Sequence, residues 1–359
     1  MIVNKSFFRG KRVLVTGHTG FKGSWLCKIL YDMGAEVIGY ALEPTYPLLY
    51  KLTGLEQNVH SIIGDICDFT RLEQVFKTEK PEIVLHLAAQ PIVRESYVNP
   101  RNTYYVNVMG TVNVLECTRR SDTVISLVNV TTDKVYENKE WEWGYREKDR
   151  LDGFDPYSNS KSCSELVTHS YKRAFFEEKG IAISTVRAGN VIGGGDFAKD
   201  RIIPDCIRAV QKEASIVVRN PYSVRPYQHV LEPLYAYLMI AQYQAVHPEC
   251  AGCFNVGPEE RDCITTGELV QLFCEKWGQG ASWENCLVQG PHEANFLKLD
   301  CAKIRQAFGW RPIWDVGKAI EKTVEWTKVY FDKGSISACM DWQIQEFESE
   351  QLFQRVWGI

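Results

Sequence analysis

Short apolar runs alternate with amphipathic stretches along the first half of the chain. Runs rich in Val, Ile and Leu predict six buried strands, at 11–16, 36–41, 59–64, 82–87, 123–130 and 181–186. Apolar positions at helical spacing predict helices at 22–33, 71–78, 103–120 and 156–179. Strands that are apolar on both faces and alternate with helices indicate a parallel sheet covered on both sides, with right-handed crossovers. We therefore predict an α/β fold with a doubly wound, Rossmann-type parallel sheet over residues 1–186.

The pattern changes after about residue 187, where glycine, proline and tryptophan interrupt the alternation. Strand-like runs at 215–220 and 253–257 alternate with helical patterns at 231–246 and 266–277. We predict that residues 187–359 form mainly a smaller, mixed α/β domain, and that segments near 215–256 return to the main sheet. The aromatic and polar pattern of residues 335–359 predicts no role for that segment.

The composition is that of an ordinary globular protein, with 45% hydrophobic and 24% charged residues. A formal net charge of -4 over 359 residues provides no basic field to recruit nucleic acid or an anionic membrane. No window reaches the ~20 apolar residues of a membrane-spanning helix, and the first residues lack the apolar core of a secretory signal. We therefore expect a cytoplasmic protein with no nucleic-acid or membrane partner.

Twelve cysteines are spread along the chain, many of them inside apolar runs. In a cytoplasmic protein this distribution indicates reduced, mostly buried thiols. One CxxC pair, Cys250 and Cys253, has no second pair at the spacing of a zinc site. We expect this pair to be structural and expect no metal site.

A glycine-rich turn joins the first predicted strand to the first predicted helix. Its glycines permit a tight turn and let backbone N–H groups approach a pyrophosphate, to which the helix N-terminus adds partial positive charge. The strand–turn–helix context favours a dinucleotide site over a turn without a ligand. The residues expected to contact a dinucleotide here are Gly17, Thr19, Gly20, Phe21, Lys22 and Gly23.

The end of the second predicted strand bears on the choice of cofactor. The position usually held by an acid that binds the ribose 2′-hydroxyl holds Ala41, and Glu43 comes two residues later. No arginine stands there to bind a 2′-phosphate, so NAD is favoured over NADP. Asp65, with Ile66 beside it, is a candidate acceptor for the adenine amino group; the alternative for Asp65 is a turn or a helix cap.

A tyrosine and a lysine at YxxxK spacing form the candidate catalytic pair. On a helix, Tyr157 and Lys161 share one face, and we expect the ammonium to lower the pKa of the phenol. The fifth strand ends at Thr132, Asp133 and Lys134, at the edge where ligands bind in open α/β sheets. Thr132 is a candidate hydrogen-bonding partner for a substrate hydroxyl. The alternative for this segment is an ordinary strand-end turn with a surface ion pair.

Several motifs resemble one superfamily of oxidoreductase-like enzymes. The stretches TGHTGFKG (16–23), LHLAAQ (85–90), VTTDKVY (130–136) and YSNSK (157–161) are similar to the extended short-chain dehydrogenase/reductases. Within them, TTDKVYEN (131–138) resembles the nucleotide-sugar 4,6-dehydratases, and the stretches 187–205 and 223–234 resemble those members that use CDP-glucose. The resemblance covers about residues 7–330. It adds contacts with NAD after the fourth strand, at Leu87, Ala88, Ala89 and Gln90.

The resemblance implies a redox-neutral lyase reaction on CDP-glucose with tightly bound NAD. Tyr157, assisted by Thr132, takes the O4 proton while hydride leaves C4, and the 4-ketone then acidifies the C5 proton. Water is eliminated across C5–C6 with Asp133 protonating the leaving hydroxyl, and hydride then returns to C6 and a proton to C5. The implied product is CDP-4-keto-6-deoxy-glucose.

The residue at position 134 departs from the usual pattern of this family. Many of its dehydratases have glutamate there, and that glutamate serves as the C5 base. A lysine serves as a base only in its neutral form; otherwise Lys134 stabilises the enolate while another group moves the proton. Relatives that use CDP-glucose resemble this chain at that position, so the assignment stands.

Arginine side chains suit the pyrophosphate of a nucleotide sugar. The substrate contacts expected from the later motifs are Arg187, Asn190, Arg201, Arg225, Tyr227 and His292. The alternative for each arginine is a surface or interdomain ion pair. The selection of cytosine over other bases follows from the resemblance alone.

Two other functions stay open on the sequence. A nucleotide-sugar 4-epimerase of the same superfamily needs no acid–amine pair at 133–134, so that pair favours dehydration. A non-enzymatic NAD(H) sensor on this fold needs no YxxxK. The resemblance also implies a homodimer, through the helices at 103–120 and 156–179, and a place in deoxysugar supply to bacterial surface polysaccharide such as the lipopolysaccharide O-antigen.

Overall fold

A parallel sheet forms the centre of the molecule, which is a computed structural model that describes residues 2–44, 49–286 and 296–357. The strands are β1 (Arg12–Thr16), β2 (Glu36–Ala41), β3 (His60–Ile63), β4 (Ile83–His86), β5 (Ser126–Val130), β6 (Ala182–Ala188), β7 (Val191–Ile192), β8 (Ile216–Val218), β9 (Val224–Pro226), β10 (Gln228–His229), β11 (Cys253–Val256), β12 (Cys263–Thr265) and β13 (Trp283–Asn285). The main sheet has the order β3–β2–β1–β4–β5–β6–β11, and all of its neighbouring pairs are parallel. The predicted fold class and all six strands predicted before residue 187 are confirmed.

Helices cover both faces of this sheet. They are α1 (Lys5–Phe8), α2 (Phe21–Asp32), α3 (Leu49–Leu52), α4 (Phe69–Glu79), α5 (Val93–Val98), α6 (Pro100–Tyr104), α7 (Gly110–Arg120), α8 (Pro156–Tyr171), α9 (Glu177–Lys179), α10 (Ile202–Gln211), α11 (Leu231–Val246), α12 (Thr266–Trp277), α13 (Ala302–Phe308), α14 (Val316–Phe331) and α15 (Ile336–Trp357). Along β1, Val13 and Val15 enter the core under α2 and α11, whereas Leu14 enters the core under α4 and α7. Successive strand residues point to opposite faces, so a strand that is apolar throughout serves both cores.

The two long predicted helices are present, and each contains one π-helical turn. The first runs through α6, the turn Tyr105–Met109 and α7. The second runs through α8, the turn Lys172–Phe176 and α9. Together they form the outer layer beside β5 and bring the start of α8 to the carboxyl edge of the sheet.

The segments after β6 divide between the main sheet and a smaller core. α11 packs against β5 and β6, and β11 pairs with β6 at the edge of the main sheet. β8, in contrast, pairs with β13 in a separate two-stranded sheet over a core that includes α10 and α12. The sequence pattern predicts that segments near 215–256 return to the main sheet. This is correct for α11 and β11 and wrong for β8. The domain boundary near residue 186 stays a prediction.

The C-terminal segment forms the long helix α15, which the sequence pattern left without a role. Met340, Ile344 and Phe347 are buried in the same core as α11, and Trp314 packs edge-on against Phe347. The helix therefore closes the far side of the main core.

The carboxyl ends of β1, β4, β5 and β6 meet along one edge of the sheet. They lead into the segments 17–23, 87–90, 131–134 and 189–196, which line the crevice where open α/β sheets bind ligands. In the part of the chain that the structure describes, every helix is too short or too polar to cross a lipid bilayer.

Candidate active site

The glycine turn after β1 is shaped for the close approach of a ligand's phosphates. Gly17 has φ +76, and a Cβ there would lie 2.9 Å from the backbone of Ala88. A Cβ on Gly23 would lie 2.1 Å from the carbonyl oxygen of Gly17. Gly20 caps α2 without a side-chain hydrogen bond, which leaves the first backbone N–H groups of α2 to face an anion. The tight turn and the open helix end are as the glycine spacing predicts, and contacts of this turn with a phosphate stay a prediction.

The wall of this turn depends on His18, which the sequence analysis did not single out. His18 is fully buried, its Nε2 lies 2.7 Å from Ser61 Oγ, and burial lowers its pKa to about 4. A Cβ on Gly39 would lie 2.3 Å from the His18 ring, so glycine at 39 makes room for the histidine. A histidine in the turn together with a glycine in the next strand is the feature of the sequence that could have identified this contact.

Asp65 and Ile66 lie at the end of β3, near the predicted adenine position. Asp65 Oδ1 accepts from the backbone N–H of Cys67 at 2.8 Å, which is the turn role weighed as its alternative. Ile66 is buried, and a Cβ on Gly110 would lie 2.5 Å from its Cδ1. Contacts of Asp65 and Ile66 with adenine stay a prediction.

The loop after β4 is held by two residues that the sequence analysis missed. Thr16 Oγ1 accepts from the backbone N–H groups of Leu87 and Ala88, both at 3.2 Å. Asn107 Oδ1 accepts from the N–H of Gln90 at 2.8 Å, and its Nδ2 donates to the Gln90 carbonyl at 3.1 Å. The loop that carries Leu87 to Gln90, including Ala89, is thereby fixed opposite the glycine turn.

The end of β5 brings the predicted acid and amine together. Asp133 is 1% exposed, and its Oδ1 accepts from Thr132 Oγ1 at 2.9 Å and from Lys134 Nζ at 3.0 Å. Its other oxygen, Oδ2, has no hydrogen-bond partner within the described ranges. A buried carboxyl oxygen without a partner is costly in a folded protein, which makes Asp133 Oδ2 a candidate contact for a ligand in the crevice.

Tyr157 joins the same group through Thr132, to which its hydroxyl is hydrogen-bonded. Thr132 donates to Asp133, so Tyr157 donates to Thr132, and an unbroken chain connects the phenol to the carboxyl. Lys161, one turn further along α8, donates to the carbonyl of Val130 at 3.2 Å. The helical i, i+4 arrangement of tyrosine and lysine is confirmed.

The pKa of Tyr157 moves in the direction opposite to the one expected. Desolvation raises the pKa of Tyr157 to about 12, against the hydrogen bond with Thr132 and the charge of Arg201. Burial also lowers the pKa of Lys161 to about 8, although Glu165 acts in the other direction. The enclosure of the crevice, which the sequence does not reveal, sets the direction for both groups, and Lys161 is not among the groups that lower the pKa of Tyr157.

The loop after β6 carries cations to the crevice. Arg201 pairs with the buried Asp196 at 2.9 Å and interacts electrostatically with Tyr157 and Lys22. Burial, with the charges of Arg201 and Lys161, lowers the pKa of Lys22 to about 7. The structure therefore brings Arg201 and Lys22 beside Tyr157, and Asp196, which was not predicted, holds Arg201 in place.

The other predicted substrate residues have different surroundings. Asn190 Oδ1 accepts from Lys134 Nζ at 3.1 Å, inside the crevice. Tyr227 is 2% exposed and lies behind Asn190, and the neighbouring Arg225, also buried, donates to the Val224 carbonyl at 3.0 Å. His292 lies outside the described residues.

Arg187 lies in the interior, away from the crevice. Its guanidinium makes two hydrogen bonds to Glu165, at 3.0 and 2.9 Å, one to Tyr136 Oη at 2.7 Å and one to the Glu147 carbonyl at 3.2 Å. Four of the five N–H donors of its guanidinium are used in these bonds, and its full burial keeps it from a pyrophosphate in the crevice. The expectation that Arg187 binds substrate is wrong; it forms a buried ion pair with Glu165, which is also not the surface or interdomain pair weighed as its alternative.

Comparisons with known proteins agree with this geometry. A family model described as GDP-mannose 4,6 dehydratase matches residues 14–323. The CDP-glucose 4,6-dehydratase of Salmonella typhimurium is 46% identical over 97% of this chain and 99% of its own length. The dTDP-D-glucose 4,6-dehydratase of Mus musculus is 28% identical over 89% of this chain and 90% of its own.

Solved structures share the fold over most of the chain. The Thermus thermophilus UDP-glucose 4-epimerase complex with NAD has a TM-score of 0.76 and 25% identity, covering 88% of this chain and 99% of its own. The Bacillus anthracis dTDP-glucose 4,6-dehydratase complex with NAD has a TM-score of 0.75 and 20% identity, covering 90% and 99%. With its full-length likeness to dehydratases and its matching family model, this chain belongs to the GDP-mannose 4,6-dehydratase family of nucleotide-sugar dehydratases, within the extended short-chain dehydrogenase/reductases.

Proposed function

We propose that the protein is a lyase that converts CDP-glucose to CDP-4-keto-6-deoxy-glucose and water, with NAD as its resident cofactor. The observation that carries this proposal is the hydrogen-bonded chain from Tyr157 through Thr132 to Asp133 and Lys134. It puts a base for the C4 hydroxyl and an acid for the C6 hydroxyl in one crevice. The 46% identity with the Salmonella CDP-glucose 4,6-dehydratase supports this substrate.

The glycine turn fits a dinucleotide. The space that a Cβ would fill at Gly17 and Gly23, and the open N-terminus of α2, suit the pyrophosphate of NAD. When bound, NAD accepts the hydride from C4 and returns it to C6. Leu87 to Gln90 line the opposite side of this turn, and Lys161 lies one helical turn from Tyr157.

Each residue of the crevice then has a task. Tyr157 takes the proton of the C4 hydroxyl, and Thr132 orients that hydroxyl while linking it to Asp133. Asp133, in its protonated form, protonates the departing C6 hydroxyl through Oδ2, the oxygen without a partner among the described residues. Lys134, in its neutral form, takes the C5 proton. Arg201 offers its guanidinium to the pyrophosphate of the sugar nucleotide.

Mass spectrometry tests the reaction directly. Incubation with CDP-glucose is expected to give a product lighter by one water, with a 4-ketone that reacts with a carbonyl reagent. A product of unchanged mass would indicate a 4-epimerase instead. Bound NAD without turnover of any nucleotide hexose would indicate a sensor. Repeating the incubation with the UDP, dTDP and GDP sugars tests the choice of base.

The role of Lys134 is tested by solvent exchange. In Lys134→Ala, deuterium from the solvent should no longer enter C5, while oxidation at C4, read as transient NADH absorbance, is retained. Normal entry of deuterium at C5 would show that Lys134 is not the C5 base. Lys139→Ala is the control, because Lys139 is exposed at 55% and pairs only with Glu137 and Trp141 in the described part.

We also propose a homodimer. Large apolar side chains on the two long helices are exposed in the single chain, among them Tyr105 at 52%, Met109 at 44%, Leu166 at 54% and Phe175 at 41%. Pairing of these helices with those of a second copy would cover this surface. Light scattering should give twice the mass of 41.1 kDa.

Cellular context completes the proposal. All twelve cysteines are free thiols, which suits the reducing cytoplasm. The product would serve deoxysugar synthesis for surface polysaccharide, such as the O-antigen of lipopolysaccharide. Deletion of the gene, with loss of deoxysugars from the surface polysaccharide, tests that placement.

A further inference from the structure

Asn190 contacts the amine at the centre of the site. Its Oδ1 accepts a hydrogen bond from Lys134 Nζ at 3.1 Å, and the same ammonium donates to Asp133 Oδ1 at 3.0 Å. An ammonium only donates, so the amide of Asn190 has to present its oxygen, not its NH2 group, to Lys134. Asn190 and Asp133 therefore hold Lys134 between a neutral acceptor and a charged one.

The far side of the amide is held by a second chain of hydrogen bonds. Asn190 is hydrogen-bonded to the hydroxyl of Tyr227, which is 2% exposed. Tyr227 Oη lies 3.1 Å from Thr266 Oγ1, and Thr266 donates to the Ser223 carbonyl at 3.2 Å.

The ammonium of Lys134 sets the direction at Asn190. It requires the amide oxygen, which leaves the NH2 group of Asn190 to donate to the hydroxyl of Tyr227. That hydroxyl lies 3.1 Å from Thr266 Oγ1, which in turn lies 2.9 Å from Ser223 Oγ, so Tyr227 is itself held by a buried group of hydroxyls. A flipped amide would put NH2 against the ammonium of Lys134.

The backbone keeps these partners in register. The N–H of Gln228 donates to the carbonyl of Asn190 at 3.0 Å, where β10 runs parallel to β7. Tyr227 precedes β10 directly, and β9 before it pairs with β12, which leads into α12 at Thr266. Asn190, Tyr227 and Thr266 therefore come together through strand pairing.

We propose that Asn190 is a positioning residue that holds Lys134 beside Asp133, with Tyr227 and Thr266 fixing the orientation of its amide. The proposal rests on the proposed function in one respect, namely that Lys134 moves the C5 proton. A neutral acceptor suits that task, because it directs the lysine without adding a second negative charge that would keep it protonated.

Among the described residues, Asp133 is the ionic group in direct contact with Lys134. Asp133 in turn interacts with Tyr157, Lys22 and Cys263. An Asn190→Asp substitution adds one carboxylate at about the same distance as Asp133 and changes little else in shape. The substitution also removes the NH2 group that faces Tyr227, and Tyr227→Phe, which loses the same hydrogen bond without adding charge, is the control for that change.

Reductive methylation measures how much of Lys134 is in the neutral form, because only an unprotonated amine reacts. It needs no substrate and therefore does not depend on the proposed reaction. The extent of methylation of the Lys134 peptide is measured by mass spectrometry over a range of pH on the full-length holoenzyme. In Asn190→Asp the reaction should be about tenfold slower near neutral pH than in the parent protein, and its rise should move to higher pH. Asn58→Asp, the same chemical change on an exposed residue, should leave it unchanged.

Kinetics of the proposed reaction provide the second readout. Asn190→Ala should slow deuterium entry at C5 at least tenfold, with C4 oxidation and the KM for CDP-glucose changed less than threefold. Tyr227→Phe should have a smaller effect of the same kind, because it removes one link that orients the amide. In a Lys134→Ala background, Asn190→Ala should not slow C4 oxidation or any residual C5 exchange further, because its effect acts through Lys134.

Three results would overturn the inference. They are unchanged methylation of Lys134 in Asn190→Asp, a raised KM with normal C5 exchange in Asn190→Ala, and additive effects in the double variant. If methylation shifts as expected but CDP-glucose is not converted, Asn190 still positions Lys134, and the proposed function is what fails.

Discussion

Two groups of buried charge, one around Glu165 on α8 and one around Asp133 after β5, differ in how completely they are paired. In the interior group, Glu165 accepts from Thr131 at 2.5 Å, from Thr185 at 2.6 Å and from Arg187 at 3.0 and 2.9 Å. Both oxygens of that carboxylate are used. In the crevice group, Asp133 uses one oxygen and leaves the other buried without a partner in the described part of the chain.

The difference indicates what each group does. Although burial opposes its ionisation, the charge of Arg187 and the hydrogen bonds from Thr131 and Thr185 lower the pKa of Glu165. A carboxylate with both oxygens paired stabilises the fold and leaves no oxygen to bind a ligand. The unpaired oxygen of Asp133 costs stability and is available for chemistry. Matched substitutions in the two groups should therefore have opposite consequences for activity and stability.

The largest effect is expected from removal of the crevice acid. Asp133→Asn keeps the shape of the side chain but cannot protonate the leaving hydroxyl, so turnover of CDP-glucose should fall about 10²- to 10⁴-fold. The free energy of unfolding in urea should change by less than about 0.5 kcal/mol, since one oxygen of Asp133 already lacks a partner. A loss of stability comparable to the loss of activity would show that Asp133 is a structural residue.

The same carboxyl-to-amide change in the interior group should act mainly on the fold. Glu165→Gln leaves the guanidinium of Arg187 buried without its counter-charge, which should cost about 3–5 kcal/mol of unfolding free energy. Glu116→Gln is the matched control, because Glu116 forms a comparable two-bond pair with Arg119 on the surface, where such pairs contribute about 0–1 kcal/mol. Equal losses in the two variants would contradict the interior role of this ion pair.

Lys161 gives a pH-dependent test of the cost of the crevice. Its folded pKa of about 8 lies below the ordinary value of 10.5, so the unfolded chain binds this proton more readily than the folded one. The folded protein therefore loses free energy of unfolding by keeping Lys161 protonated in the crevice. This cost is present in full below about pH 8 and disappears as the pH rises through 10.5. Lys161→Met should therefore stabilise the protein by about 1–3 kcal/mol at pH 7 while abolishing turnover.

The measurement is urea unfolding of Lys161→Met and its parent at about pH 7 and about pH 10. The gain in unfolding free energy should shrink at the higher pH, because the parent no longer holds a buried ammonium there. Lys172→Met is the control, because Lys172 is only partly buried and donates to the Ala251 carbonyl at 2.7 Å. A gain of the same size at both pH values would show that the charge of Lys161 is not its cause.

The local parts of both groups could be predicted from the sequence. Apolar runs located the sheet, glycine spacing located the phosphate turn, and the i, i+4 spacing put Tyr157 and Lys161 on one face. The interior ion pair could not be predicted, because Arg187 lies at a strand end and its partner is 22 positions away along the chain. Whether such an arginine faces the crevice or the helix behind the sheet depends on packing.

The electrostatics of the crevice were beyond prediction for a related reason. The pKa of Tyr157 depends on how tightly the loop that carries Asp196 and Arg201 encloses it. α15 was missed because its apolar residues are divided between a buried face, with Met340 and Phe347, and exposed positions such as Trp342 at 71%. Non-local enclosure, more than local pattern, determined what the sequence left open.

The smallest effect is expected at the outer end of the interior group, where His169 and Cys253 lie. His169 Nε2 is 2.7 Å from Cys253 Sγ, and one ligand atom each from these two residues and from Glu165 lies within 4.8 Å of the others. Because Glu165 is already occupied by Arg187, Thr131 and Thr185, we expect this cluster to hold no metal.

Cys253→Ala should lower the free energy of unfolding by about 1 kcal/mol, the value of one hydrogen bond, and should leave turnover of CDP-glucose unchanged. Cys250→Ala is the control for loss of a thiol in the stability measurement. A chelator should leave the urea midpoint of the parent protein unchanged. If a chelator lowers that midpoint, and Cys253→Ala is no longer sensitive to it, the cluster is a metal site.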